Sequence, residues 1–230
     1  MADQRQTIFQ SIMDGKSIPA FFRDRRNDRE NEVAFLYKDL GIYNEVRWKQ
    51  YWTEVEEFSL GLMQIGLLPG DRVAIMGDPC PEWFYSDLAV LSAGAISYGV
   101  YSTSSPEEIC YTIEKTRAKF FIAENQEYVD KIVDFIERYT FLLNLIVIDT
   151  KAMFGYQNSK LIHFKEVQKL GRELKSQDPS LFLTRLNTVK GDDPAFLVFT
   201  SGTTGAAKPA IITHKNILAS WVYATSEVFP

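Results

Sequence analysis

"RVAIMGDPCPEWFYSDLAVLSAGAISYGVYSTSSPEEICYTIEKTRAKFFIA", residues 72 to 123, reads as strand, helix, strand, helix, strand. Residues 72–77 form a short apolar run closed by glycine, the pattern of a buried strand. Pro81 suits the first turn of a helix, where its missing N–H has no partner to lose. Phe84, Leu88 and Leu91 then fall along one side of that helix. "AISYGVY" returns to strand character. "SPEE", Ser105 to Glu108, combines a capping box with proline at the first helical position, so a helix is expected from there to Arg117. "KFFIA" closes the unit as a third strand. Strands separated by helices of this length favour a mostly parallel sheet covered on both faces.

Working outward, the same alternation continues. "IPAFFRDRR" is read as a helix carrying Phe21 and Phe22 toward a core. "VAFLYK" and "IYNEVRW", joined through Asp39, Leu40 and Gly41, suggest a hairpin. Trp52, Val55, Phe58, Leu62 and Ile65 recur at helical spacing, and Gly66 stops that helix. Downstream, Val129, Ile132, Val133, Ile136 and Tyr139 stripe one further helix, and "LIVID" is a strand. Residues 150–193 are less regular, read as a peripheral strand, short helices and a connector, with Gly155 and Gly171 among the irregular features. "AFLVF" is the last strand before a polar segment. The expected class is therefore α/β, a mostly parallel β-sheet flanked by helices. No internal repeat or low-complexity segment is apparent.

The 230 residues can build one large domain or two small ones. A net charge of −5 with no basic face argues against nucleic acid as a partner. "RDRRNDRE", Arg23 to Glu30, carries four arginines nearly cancelled by Asp24, Asp28 and Glu30, which reads as a solvated face. The longest apolar run, Phe141 to Ile148, has the length of a strand and falls far short of a bilayer span. There is no N-terminal signal-like apolar region. Cys80 and Cys110 lack metal-ligand spacing and suit a reduced, cytoplasmic setting as plain buried thiols.

"FTSGTTGAAKPA", residues 199 to 210, follows the last strand. Gly202 and Gly205 allow tight turns, and successive N–H groups in such turns form a concavity that favours anions. Thr200, Ser201, Thr203 and Thr204 add hydroxyl donors, and Lys208 adds a positive charge. Polyphosphate is the natural guest. The segment is not a Walker loop, because Ala207 stands where glycine would be required, and G-x-G-x-x-G is absent too. On residue types alone, a flexible Thr/Gly loop without a ligand stays open.

"LVFTSGTTGAAK", Leu197 to Lys208, with "IITHKN" after it, resembles the signature of the adenylate-forming (AMP-binding) superfamily. The stretch from 66 to 117, with Pro-Glu-Trp at a helix start and Tyr-Ser-Thr-Ser-Ser-Pro-Glu-Glu further on, is similar to long-chain acyl-CoA synthetases. The resemblance implies that the chain is the N-terminal part of the large domain of such an enzyme. It divides into an N-terminal helical segment (1–30), an α/β region (31–193), and a strand, phosphate loop and strand-helix (194–230). The implied activity is that of a long-chain fatty acid–CoA ligase. A fatty carboxylate attacks the α-phosphate of ATP to give an acyl-adenylate and pyrophosphate, and coenzyme A then displaces AMP. Thr200, Ser201, Gly202, Thr203, Thr204, Gly205 and Lys208 would hold the β- and γ-phosphates.

The resemblance also marks two departures. The family usually has Pro-Lys-Gly where this chain has Ala207, Lys208 and Pro209, and Pro209 makes the following strand start more rigid. Family members run to more than twice this length. On that basis the Mg²⁺ ligand, the adenine contacts, the catalytic lysine and the C-terminal domain would lie beyond residue 230, with no complete catalytic set and no metal ligand in this chain. A fragment inert alone is the expectation. Peripheral membrane contact and a homodimer stay open. So do a non-catalytic phosphate-binding module and a ligase for a different carboxylic acid. His214 reads as structural at a helix start, His163 as peripheral, and Trp83 and Trp221 as core or subunit-contact aromatics.

Overall fold

A computed structural model describes residue 8 and residues 10–12, 14–200 and 207–224. Helix α1 (Ile18–Arg29) begins at the Ser17 cap. Strands β1 (Val33–Asp39) and β2 (Ile42–Arg47) form a separate antiparallel hairpin. Its turn takes Leu40 and Gly41 to φ of 46° and 86°, as a two-residue hairpin turn requires. Helix α2 (Trp48–Gln64) follows directly.

The unit expected over 72–123 forms throughout. It comprises β3 (Arg72–Met76), α3 (Pro81–Ser92), β4 (Ile96–Val100), α4 (Pro106–Thr116) and β5 (Phe120–Ala123). The chain continues through a short α5 (Gln126–Asp130), β6 (Asn144–Val147) and β7 (Leu161–His163). Helices α6 (Phe164–Gln177) and α7 (Leu181–Leu186) then lead to β8 (Pro194–Thr200), β9 (Lys208–Thr213) and α8 (His214–Tyr223).

Seven strands form one sheet in the order β7-β6-β5-β3-β4-β8-β9. Every pair is parallel except β8–β9, which is antiparallel. Alternate residues of the central strands point into two cores, as the strand period demands. Val73, Ile75, Phe120 and Ile122 join Val55 and Phe58 of α2 and Ala89 of α3 on one face. Ala74, Met76, Phe121 and Ala123 join Ile109 and Ile113 of α4 on the other. Full burial of one such large apolar side chain contributes about 1.5–3 kcal/mol.

β3 leads through α3 to β4 on one side of it, and β4 leads back through α4 to β5 on the other. The reversal opens a crevice beyond the carboxyl ends of the strands, where ligands of open α/β sheets bind.

Four expectations need correction. Helix α2 starts at Trp48 instead of Trp52, with no side-chain cap. The N–H groups of Trp48 and Lys49 instead reach the carbonyls of Glu32 and Glu30, at 3.1 and 2.9 Å. The helix expected over 129–139 breaks into α5, turns and a single 3₁₀ turn at Ile136–Arg138. Its β-branched residues favour helix weakly, and Lys160 Nζ bonds the Ile136 and Tyr139 carbonyls at 3.0 and 2.9 Å. Val129, Ile132 and Ile136 are still fully buried, so the burial period survives without the helix. Phe84 is 43% exposed rather than in the core stripe. Gly171 marks no irregularity; it lies inside α6, where a Cβ would stand 1.7 Å from the Glu57 carbonyl oxygen of α2.

Candidate functional site

At the carboxyl edge of the sheet, three connections converge. Gly77, Asp78 and Pro79 follow β3, Tyr101, Ser102 and Ser104 follow β4, and Leu197, Val198 and Phe199 lie near the end of β8. Together with Trp83 and Phe84 of α3 they line a cleft of about 610 Å³. Gly77 holds φ at 154°, and a Cβ there would meet Glu124 at 2.4 Å. The Asp78 N–H donates to Glu124 Oε2 at 2.6 Å. Burial raises the Glu124 carboxyl above its usual range, and the charges of Asp78 and Asp149 add to the rise.

The described ends of the glycine-hydroxyl segment lie on β8 and β9, which pair as an antiparallel hairpin at the same edge. Thr200 pairs with Lys208 and Phe199 with Pro209 in the ladder. Thr200 Oγ1 donates to the Lys208 carbonyl at 3.5 Å, and both side chains are exposed. Pro209 sits on an edge strand, the position in a sheet that tolerates a missing donor. Thr200 and Lys208 are thus brought together at the mouth of the hairpin. Ser201, Gly202, Thr203, Thr204 and Gly205 lie outside the described residues.

Sequence reasoning missed two neighbours of this hairpin. Tyr111 of α4 donates its hydroxyl to the Ala207 carbonyl at 2.9 Å. Tyr98 of β4, almost fully buried, places its ring 5.8 Å from that of Phe199. The available signal was indirect: Tyr111 follows the Ser105–Glu108 capping box closely on the same helix. That box forms, with Glu108 N–H on Ser105 Oγ at 3.3 Å and Ser105 N–H on Glu108 Oε2 at 2.9 Å.

The other singled-out residues sort differently. His214 opens α8, is 1% exposed, and donates its backbone N–H to the Asp193 carbonyl at 3.2 Å. Burial pulls its imidazole down to about 4, against the opposing charge of Asp193, so the ring is neutral near pH 7. His163 precedes α6, where its N–H donates to Glu166 Oε2 at 3.2 Å. Trp83 packs against the first core and lines the cleft, whereas Trp221 is half-exposed. Cys80 and Cys110 are half-buried rather than buried, which corrects the sequence reading. Burial pushes the Cys80 thiol up to about 11, so it is protonated and a poor nucleophile at neutral pH.

A further group, the half-buried Asp87 on α3, was not foreseen. Burial raises its carboxyl to about 6, opposed by a hydrogen bond from Ser97, and its Oδ1 has no partner. Among the described residues, no three His, Cys, Asp or Glu side chains cluster to suit a metal ion. No described helix is long and apolar enough to cross a membrane.

This architecture is shared with adenylate-forming enzymes. The anthranilate CoA ligase AuaEII, solved with anthranoyl-AMP, superposes at TM-score 0.71 and 20% identity, over 92% of this chain and 38% of that one. The acetoacetyl-CoA synthetase from Streptomyces lividans superposes at TM-score 0.73 and 15% identity, over 91% and 32%. At the level of sequence, the model of the AMP-binding enzyme family matches residues 22–229, and the chain belongs to that family.

Among curated relatives, the long-chain-fatty-acid–CoA ligase ACSBG2 of Xenopus laevis is 26% identical over 210 residues. The match covers 91% of this chain and 28% of the relative. The long-chain-fatty-acid–CoA ligase FadD15 of Mycobacterium tuberculosis is 26% identical over 194 residues, covering 84% and 30%. The chain thus spans less than a third of the length of these relatives.

Proposed function

We propose that this chain supplies the ATP-phosphate-holding part of a long-chain fatty acid–CoA ligase. The observation that carries the reading is the β8–β9 hairpin, which sets Thr200 opposite Lys208 at the carboxyl edge of the sheet, beside the cleft. The proposed reaction joins a fatty carboxylate to the α-phosphate of ATP, forming a P–O bond and releasing pyrophosphate. Coenzyme A then attacks the acyl carbon and AMP leaves. Both partners in the first step are anionic, so the charge gathering on the leaving pyrophosphate must be met by positioned donors.

In this reading Lys208 supplies the positive charge, Thr200, Ser201, Thr203 and Thr204 supply hydroxyls, and Gly202 and Gly205 let the backbone approach the β- and γ-phosphates. Mg²⁺ would add charge neutralisation, but no cluster of His, Cys, Asp or Glu among the described residues fits the ion. The long-chain acid is supported by the names of the curated relatives and by the apolar lining that Trp83, Val100 and Phe199 give the cleft. Since those relatives are more than three times longer than the matched segment, the 230 residues alone are proposed not to complete the reaction.

ATP–pyrophosphate exchange by the intact protein tests the assignment. Exchange stimulated by long-chain fatty acid and not by acetate or benzoate is expected. Exchange stimulated only by a short or aromatic acid would remove the long-chain reading, and none with any acid would remove adenylation.

A further inference from the structure

Two tyrosines from one β–α unit reach the two ends of the hairpin loop. Tyr98 on β4 packs its ring against Phe199, one residue before Thr200, at 5.8 Å. Tyr111 on α4 bonds the Ala207 carbonyl, one residue before Lys208, at 2.9 Å. The contact joins residues 96 apart in sequence. The helix that carries Tyr111 is firmly set. Its N-terminus is closed by the Ser105–Glu108 capping box, and Ile109 and Ile113 are fully buried. Near its end, Thr116 Oγ1 lies 3.0 Å from the Tyr98 hydroxyl, which ties α4 back to the sheet.

The Ala207 carbonyl belongs to the peptide plane that leads into Lys208. Because that plane is rigid, fixing its carbonyl fixes the direction in which the Lys208 backbone departs. The lysine stem itself has four rotatable carbons and no preferred aim. We propose that Tyr111 is a positioning residue: it holds the Ala207–Lys208 peptide so that the Lys208 ammonium starts from the geometry in which it meets nucleotide phosphate. This inference rests on the phosphate-holding reading of the hairpin given above.

The test is a double-mutant cycle in the intact protein, with Tyr111→Phe, Lys208→Ala and the double variant, using MgATP as the probe in ATP–pyrophosphate exchange. Tyr111→Phe keeps the ring and removes only the hydroxyl. The expected result is an apparent KM for MgATP raised about fivefold, the equivalent of one neutral hydrogen bond. The KM for the carboxylate stays unchanged, the urea unfolding midpoint falls only slightly, as for the loss of one hydrogen bond, and the effect on MgATP disappears in the Lys208→Ala background. If Lys208→Ala impairs MgATP use and Tyr111→Phe does not, the positioning role is wrong while the phosphate reading stands. If the Tyr111→Phe effect persists in full without Lys208, the link between the two residues is wrong. If neither single variant alters MgATP use, the phosphate reading fails and this inference with it.

Discussion

Asp87, half-buried with its Oδ1 enclosed, and His214, buried, are ionisable side chains whose titrations oppose each other. Asp87 has a raised value of about 6 in the folded chain against an ordinary 3.8. Its contribution to stability is therefore full below about 4 and lost as pH rises to about 6. His214 is lowered to about 4 from 6.5, so its contribution is full above 6.5 and lost as pH falls toward 4. Over the same window one group gains what the other loses. Asp87→Asn should unmask the histidine. Relative to the parent, the variant should gain on the order of 3 kcal/mol as pH rises from 4 to 6, the size set by a two-unit shift. Urea unfolding at a series of pH values checks this, and parallel pH profiles for parent and variant would refute it. Neither environment was legible in the sequence. Asp87 sits in the apolar register of α3, but only the fold shows that Ser97 is its partner and that its Oδ1 has none.

Among the elements, legibility followed local chemistry. The Ser105 cap and Pro106 marked α4 correctly because the signal lies within four residues. The start of α2 was hidden, because its first N–H groups are met by the carbonyls of Glu30 and Glu32, which no local pattern announces. The broken helix after β5 was hidden in a different way: a buried stripe at three- and four-residue spacing fits 3₁₀ turns as well as an α-helix. Gly171, at the contact of α2 with α6, was misread for a related reason. Glycine in a helix looks like weakness until the partner helix is known. Gly61 and Gly171 instead let two backbones touch, since a Cβ at either would lie within 2 Å of a carbonyl oxygen. Backbone cannot yield as a flexible side chain can. Gly171→Ala should therefore cost about 3 kcal/mol or more despite alanine's better helix propensity, a strained overpacking beyond the usual 1–3 kcal/mol. Equilibrium unfolding measures it, and a neutral or stabilising outcome would show that the helices separate easily.

At the scale of the whole molecule, the βαβαβ unit over 72–123 was legible because its strands are buried on both faces and its helices begin with proline. The order of the strands was not legible, because parallel pairing leaves no turn to fix which neighbours meet. That order is what brings β3, β4 and β8 side by side and sets the hairpin beside the cleft. The residue types of the loop were enough to suggest phosphate as a proposed guest, whereas the contact of Tyr111 with the hairpin was not foreseen, since Tyr111 and Ala207 meet only through the sheet. The central claim is that this edge of the molecule holds ATP phosphate. Lys208→Ala in the intact protein, assayed by ATP–pyrophosphate exchange at subsaturating MgATP, tests it most directly. The claim predicts a loss of about 1.5–3 kcal/mol in transition-state stabilisation, roughly ten- to 150-fold in kcat/KM for ATP, as expected for one charge-assisted contact. An exchange rate equal to that of the parent at every MgATP concentration would contradict it.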